Sequence, residues 1–186
     1  NMKNNKNLVI LTGPSGVGKG TIVKALLKKN KNFWVSISAT TRNPRKGEVD
    51  GESYYFLSKL KFKKMINDDL FVEWAKFADN YYGTPINPVK EKIAKGFKVI
   101  LEIEVDGASQ IKDKFPDSLS IFLLPPSKEE LERRIRTRGT DNEASISKRL
   151  DRAQFEINSS KDFDYVITNI DVNETVEKVL AMLDFN

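Results

Sequence analysis

The sequence predicts an α/β domain, a mostly parallel sheet flanked by helices, into which a lobe of a different kind is inserted. Three observations predict it. Short apolar, β-branched runs recur at 8–12, 99–105 and 119–124, separated by segments whose apolar residues fall at helical spacing. A Gly-rich segment, 13–18, joins the first run to the first helix. Between about 37 and 90 the alternation fails, and short strands and turns stand where a crossover helix is expected.

In order along the chain, 8–12 is the first strand, and 21–29 a helix with Ile22, Val23, Ala25, Leu26 and Leu27 as its apolar stripe. A short strand is predicted at 33–37. The stretch 41–51 is polar and broken by Pro44, Gly47 and Gly51. Residues 54–57 read as a strand, and 59–68 as a helix with Phe62, Met65 and Ile66 inward. A strand follows at 71–77, then a turn at Tyr82-Gly83-Thr84-Pro85. A helix over 87–95 stops at Gly96. The run 99–105 is a buried strand ending at Asp106-Gly107, with a helix at 109–114 and another buried strand at 119–124. Ser127 and Glu130 form a capping box that opens a helix to about Arg138. A basic helix at 145–159, a strand at 165–168 and a helix at 173–183 complete the chain.

The 186 residues suit one domain. With 39% hydrophobic and 31% charged residues, the chain can bury a core and does not read as disordered. No apolar run reaches the ~18–20 residues that cross a bilayer, and residues 1–7 lack the apolar stretch of a signal peptide. The expected location is cytoplasmic, with no membrane partner. There is no Cys and no His, which excludes disulfides, thiolate nucleophiles, Cys/His zinc sites and Ser-His catalysis. Chemistry is left to Lys, Arg, carboxylates, hydroxyls, backbone amides and bound metal. The net charge of +5 suits a polyanion, nucleotide or nucleic acid, and equally fits a general Lys-rich bias.

Gly13-Pro14-Ser15-Gly16-Val17-Gly18-Lys19 fits the core of a P-loop, between an apolar strand and an amphipathic helix. Glycines let successive backbone N–H groups curl around phosphate oxygens, the helix offers its positive end, and Lys19 supplies a point charge. This makes the sheet of the P-loop NTPase type and assigns residues 13–21 to ATP. The motif expects Ser or Thr after the lysine, and here Gly20 stands there, followed by Thr21. Mg²⁺ is therefore expected to be held mainly by phosphates and water, which this reluctantly dehydrated ion accepts.

The segment from Ser36 to Gly51 contains Ser38, Thr40-Thr41-Arg42, Pro44-Arg45 and Gly47-Glu48 in the order S-x-S-x-T-T-R-x-P-R-x-G-E-x-x-G. Tyr54, Phe71-Val72-Glu73-Trp74-Ala75 and Asn80-Tyr81-Tyr82-Gly83-Thr84 follow. These segments resemble the guanylate kinase family, and the likeness runs essentially from end to end. The resemblance implies an enzyme that uses ATP and Mg²⁺ to phosphorylate GMP, and dGMP with it, to the diphosphate. The chemistry agrees: guanine offers two adjacent donors, N1–H and the 2-amino group, and the Glu73 carboxylate matches both. A polar mismatch of this kind rejects adenine by ~10⁴–10⁵-fold. The resemblance assigns Ser38 and Thr84 to guanine O6, and Arg42, Arg45, Tyr54 and Tyr82 to the GMP phosphate.

In 99–106, Glu102, Glu104 and Asp106 alternate with apolar residues, which places the acids on one strand face. By resemblance Glu102 holds Mg²⁺-bound water and Glu104 approaches the guanosine, whereas Asp106 stands where many relatives have Gln. Arg133-Arg134-Ile135-Arg136-Thr137-Arg138-Gly139-Thr140, with Ser147-Lys148-Arg149-Leu150, resembles the family's lid. Arg134, Arg138 and Arg149 are the expected phosphate contacts with Lys19 and Arg42, while Arg133 and Arg136 read as solvated. Asn169 is expected at the adenine of ATP. The implied division is a core at about 7–36, 91–133 and 160–186, a GMP-binding lobe at about 37–90 and a lid at about 134–159. A kinase for another acceptor, a protein-binding module with this fold, and nucleic-acid binding are the rival readings. Of these, nucleic acid rests on charge alone and is not an expected partner. Nothing in the sequence fixes the oligomeric state.

Overall fold

The computed structural model describes residues 6–137, 139 and 142–184. In chain order the elements are β1 (Leu8–Thr12), α1 (Lys19–Lys29), β2 (Phe33–Val35), β3 (Ala39–Thr40), β4 (Tyr55–Phe56) and α2 (Lys59–Asn67). Then come β5 (Phe71–Phe77), β6 (Asn80–Pro85), α3 (Ile86–Ala94), β7 (Lys98–Glu102), α4 (Val105–Lys114) and β8 (Leu119–Leu124). α5 (Lys128–Thr137), α6 (Glu143–Asn158), a 3-10 turn at Ser159–Asp162, β9 (Tyr165–Thr168) and α7 (Val172–Asp184) complete them.

The first sheet has the order β2-β7-β1-β8-β9, and every neighbouring pair is parallel. Parallel strands need crossover connections, and their helices cover both faces. β1 at the centre shows the result. Val9 and Leu11 join Ile22 and Leu26 of α1 and Val176 and Val179 of α7 in one core cluster. Leu8 and Ile10 face the other way, onto Val89 of α3 and Ala108 and Ile111 of α4. Burial on both faces is why this strand is an unbroken apolar run instead of an alternating one.

The second sheet has the order β4-β3-β6-β5 and contains the antiparallel hairpin β5–β6. It has its own core: Phe62 of α2 stacks on Phe71 at 4.3 Å between ring centroids and lies 5.3 Å from Tyr81. A further small cluster, Leu131, Ile135, Ile146 and Ala153, joins α5 to α6.

The structure departs from the sequence reading in four places. Tyr82–Pro85 is not a turn but part of β6; the chain reverses at Ala78, which takes φ +53. Gly83 sits in that strand because a Cβ there would stand 2.9 Å from the Glu73 carbonyl oxygen. β3 was hidden by its length of two residues. α1 begins at Lys19 instead of 21, directly on the Gly-rich loop. The strand predicted over 99–105 ends at Glu102, where its partner β1 turns into that loop, and α4 begins three residues later with Glu104 as its N-cap. Glu102, Glu104 and Asp106 therefore do not form a row on one strand face. Asp106 lies in the first turn of α4 instead, where the helix dipole favours an acid.

Phe62 is fully buried and sits between two aromatic partners. Phe62→Ala is expected to lower stability by about 3–5 kcal/mol, read as a shifted denaturant midpoint.

Candidate active site

β1 delivers the chain into the loop 13–18, which closes with Val17 N–H on the Pro14 carbonyl at 3.1 Å. Gly16 and Gly18 take φ +86 and +98, where a side chain is strained. Gly18 is the N-cap of α1, whose first turn carries no acid, so its positive end is uncompensated. Lys19 donates its Nζ to the Gly13 carbonyl at 2.5 Å and so lies across the loop. Gly13, Pro14 and Val17 are buried beneath it, while Ser15, Gly16, Gly20 and Thr21 are exposed.

Asn169 arrives from the end of β9. It is buried, donating Nδ2 to the Val17 carbonyl at 2.8 Å and accepting from the Thr175 hydroxyl at 2.8 Å. Its amide is committed to the back of the loop, so the side chain braces the loop instead of reaching out to a base. Thr175 completes that brace and was missed in the sequence, where it reads as one more helix residue.

From α5, Arg134 reaches over the loop and donates Nη1 to the Gly16 carbonyl at 3.0 Å. Its Nε pairs with Glu130 at 3.0 Å. Glu130 also pairs with Arg133, and the two guanidiniums, Arg133 foremost, hold its carboxyl down at about 2. Arg136 pairs with Glu143 and Glu132, so the two arginines read as solvated are spent on surface acids. Arg149 is half-buried on α6. Arg138 lies outside the described residues.

Arg42, at the end of β3, forms a bidentate pair with Glu48 at 2.8 and 2.9 Å and lies 5.2 Å from the centre of the Tyr54 ring. Glu48 also accepts the Arg45 backbone N–H at 2.7 Å. These donors, the Arg42 guanidinium above all, hold the Glu48 carboxyl down at about 2. Tyr82 stands edge-on to Tyr54 at 6.4 Å, and Arg45 is exposed. Glu48 is a second residue the sequence reading passed over, although it stood inside the quoted motif; only the structure shows that it ties both arginines together.

A cleft of about 370 Å³ brings Ser38, Tyr54, Glu73 and Tyr82 together with Glu102, Glu104 and Asp106. Thr84, fully buried, donates to Glu73 Oε1 at 2.8 Å. Burial pushes the Glu73 carboxyl above the usual carboxylate range; the Thr84 hydrogen bond opposes this and the charge of Glu104 adds to it. Glu102 is exposed at the carboxyl end of β7, in register with Leu11 of β1. Of the expected contacts, Lys19 and Arg134 thus lie at the loop, Ser38, Tyr54, Glu73, Tyr82 and Glu104 line the cleft, Thr84 is buried behind Glu73, and Asn169 stands behind the loop.

The guanylate kinase family model matches residues 5–185. The chain belongs to the guanylate kinase family. It is 64% identical to the guanylate kinase of Prochlorococcus marinus (strain MIT 9312), over 98% of this chain and 99% of that protein. It is 53% identical to the guanylate kinase of Synechocystis sp. (strain PCC 6803), over 95% and 92%. Among solved structures, the guanylate kinase of Anaplasma phagocytophilum superposes with a TM-score of 0.75 at 32% identity, covering 99% of this chain and 88% of that one. The family's reaction, phosphorylation of GMP to GDP by ATP, is the reaction of this chain.

The bidentate Arg42–Glu48 pair fixes the Arg42 guanidinium beside the Tyr54 ring. Glu48→Ala frees that guanidinium and the turn behind it. The expected result is a fall in kcat/KM for GMP of about 10²-fold, the scale of a small misplacement at a reacting group, with KM for ATP unchanged in steady-state assays.

Proposed function

We propose that ATP lies along the loop 13–21 and that GMP lies in the cleft of the second-sheet lobe, about residues 37–90, with Glu73 reading the base. The observation that carries this reading is the half-buried Glu73 carboxylate, backed by Thr84 and facing a cleft that Ser38, Tyr54 and Tyr82 also line. The Ser38 hydroxyl meets guanine O6, whereas Thr84, buried and with its one hydroxyl proton given to Glu73 Oε1, backs the reader and does not reach the base. Arg42, Arg45, Tyr54 and Tyr82 hold the phosphate, as bidentate guanidinium and phenol donors do. None of these contacts uses the sugar, so dGMP serves as well. The core at about 7–36, 91–133 and 160–186 carries the ATP site and borders the GMP cleft of the lobe, and the enzyme works in the cytoplasm.

Catalysis then consists of positioning and charge stabilisation, because phosphoryl transfer needs no protein nucleophile. Lys19 exchanges the Gly13 carbonyl for phosphate oxygens. Arg134, poised over Gly16, together with Arg138 and Arg149 from the lid at about 134–159, neutralises the charge that develops on the transferring group. Closure of lobe and lid removes water.

The residues present fit Mg²⁺ in one way. Among the described residues no group of three or more acids is placed to hold a metal ion, and Gly20 offers no hydroxyl. Glu102, exposed beside the strand that feeds the loop, fits a single outer carboxylate reached through water, with the phosphates as inner ligands. When bound, the ion supplies charge neutralisation at the phosphates.

The deciding experiment couples ADP formation to a panel of nucleoside monophosphates. Turnover on GMP with little on AMP, and loss of both with Lys19→Ala or Glu73→Ala, is the expected pattern. Preferred turnover on another acceptor would sink the base-reader assignment. No turnover on any acceptor would point to a protein-binding module.

The raised pKa of Glu73 gives a second test. The folded protein binds this proton more tightly than the unfolded chain, so stability falls as pH rises from the ordinary carboxylate value to the raised one. Above that window the cost is constant. Glu73→Gln removes it, and is expected to raise Tm at neutral pH while abolishing the GMP preference. In the wild type, KM for GMP is expected to climb as pH falls through the raised value, and a flat profile would refute the carboxylate's role.

A further inference from the structure

β5 is the outer strand of the second sheet, so its edge away from β6 carries backbone groups without a strand partner. At Trp74 a single side chain takes both of them. Gln110 of α4 accepts the Trp74 N–H at Oε1, 3.1 Å away, and donates Nε2 to the Trp74 carbonyl at 2.9 Å. A side-chain amide carries the same donor and acceptor as a peptide group, so Gln110 pairs as a strand residue would.

The same face of α4 continues the contact. Lys114 donates to the Phe71 carbonyl at 3.0 Å and pairs with Asp69 at 2.6 Å. Gly107 lies against the reader itself: a Cβ built there would stand 3.1 Å from Glu73 Oε2. Helical periodicity puts positions 107, 110 and 114 on one stripe. Between Phe71 and Glu73 the pairing of β5 with β6 shifts register, as at a β-bulge, and bulges re-aim the side chains next to them. Glu73 is therefore aimed by an irregular segment held by β6 on one side and by α4 on the other.

We propose that Gln110 is a positioning residue for guanine selectivity: with Lys114 and Gly107 it makes α4 a surrogate edge strand that fixes the aim of Glu73. The inference rests on Glu73 as the base reader. It also joins the two sheets, because α4 follows directly on β7 of the first sheet while β5 belongs to the second. The acceptor base is thereby indexed to the framework that carries the phosphate loop.

The test compares GMP with inosine monophosphate, whose base keeps N1–H and lacks the 2-amino group. Gln110→Met keeps the length and loses both hydrogen bonds. The expected result is a rise in KM for GMP and a fall in the GMP-over-IMP ratio of kcat/KM, each about tenfold, from two partly exposed hydrogen bonds. KM for ATP stays at the wild-type value, and Gln110→Glu, which keeps the acceptor, recovers part of the preference. A Gln110→Met enzyme with a lowered Tm and an intact GMP-over-IMP ratio would overturn the proposal, as would equal changes in both substrates' KM. Gly107→Ala decides the matter if Gln110→Met does not fold. Alanine favours the helix, so the expected variant is folded with a reduced GMP preference, and an unchanged preference counts against α4 as the aiming device. Glu73→Gln separates the two layers: if it keeps the GMP-over-IMP ratio, the base-reader reading itself falls and takes the inference with it. If it loses the ratio while Gln110→Met keeps it, only the positioning role falls.

Discussion

A carboxylate that must stay charged in a half-buried cleft is the constraint on which the second sheet depends. Glu73 shares its surroundings with Glu102, Glu104 and Asp106, and like charges in one cleft oppose ionisation. The fold contains the cost without cancelling it. Thr84 gives one hydrogen bond, and Arg152 of α6 approaches Asp106 at 3.6 Å and Glu104 at 3.9 Å from the far side. What is left is an acceptor pair short of donors. On the proposed reading guanine supplies the two donors that complete it, and adenine would leave it desolvated and unmatched.

The cations of the site are arranged on the opposite principle. Arg42 is paired with Glu48, Arg134 with Glu130 and the Gly16 carbonyl, and Lys19 with the Gly13 carbonyl. Each positive group is already oriented by an oxygen. A long side chain held in this way has less rotamer freedom left to lose on meeting an anion. Glu48 and Glu130, with carboxyls held down at about 2 by the guanidiniums they pair with, are the anions that orient them.

Much of this was legible in the sequence because the signals are local. The strand, Gly loop and helix of 8–29 are set by residues adjacent in the chain, as are the motif from Ser36 to Gly51 and the pattern Phe71-Val72-Glu73-Trp74-Ala75. The errors lie where tertiary contacts override local preference. Tyr82-Gly83-Thr84-Pro85 looks like a turn, yet Gly83 is there for close approach to Glu73 across a hairpin. The run 99–105 has the composition of one strand, but β1 stops pairing with it at Glu102. Gln110 and Thr175 carry no signal of their own. Each acts through one partner, Gln110 through Trp74 and Thr175 through Asn169, that only the fold aligns with it.

The placement of the whole site follows from the parallel sheet. β1 and β7 end side by side, one running into the phosphate loop and the other leaving Glu102 beside it, in keeping with the rule that open α/β sheets bind ligands beyond the carboxyl ends of their strands. Asn169 extends that logic to the last strand: β9 ends at the same edge, and its following residue reaches the Val17 carbonyl from 152 positions away. The loop near the N-terminus is thus completed by the C-terminal strand and by Thr175 of α7. Local glycines make the loop possible, but its braced form depends on one of the longest-range contacts in the chain. Such contacts are costly in loop-closure entropy. A phosphate-binding loop built this way becomes competent only when the surrounding sheet is complete, which couples nucleotide binding to the integrity of the entire domain.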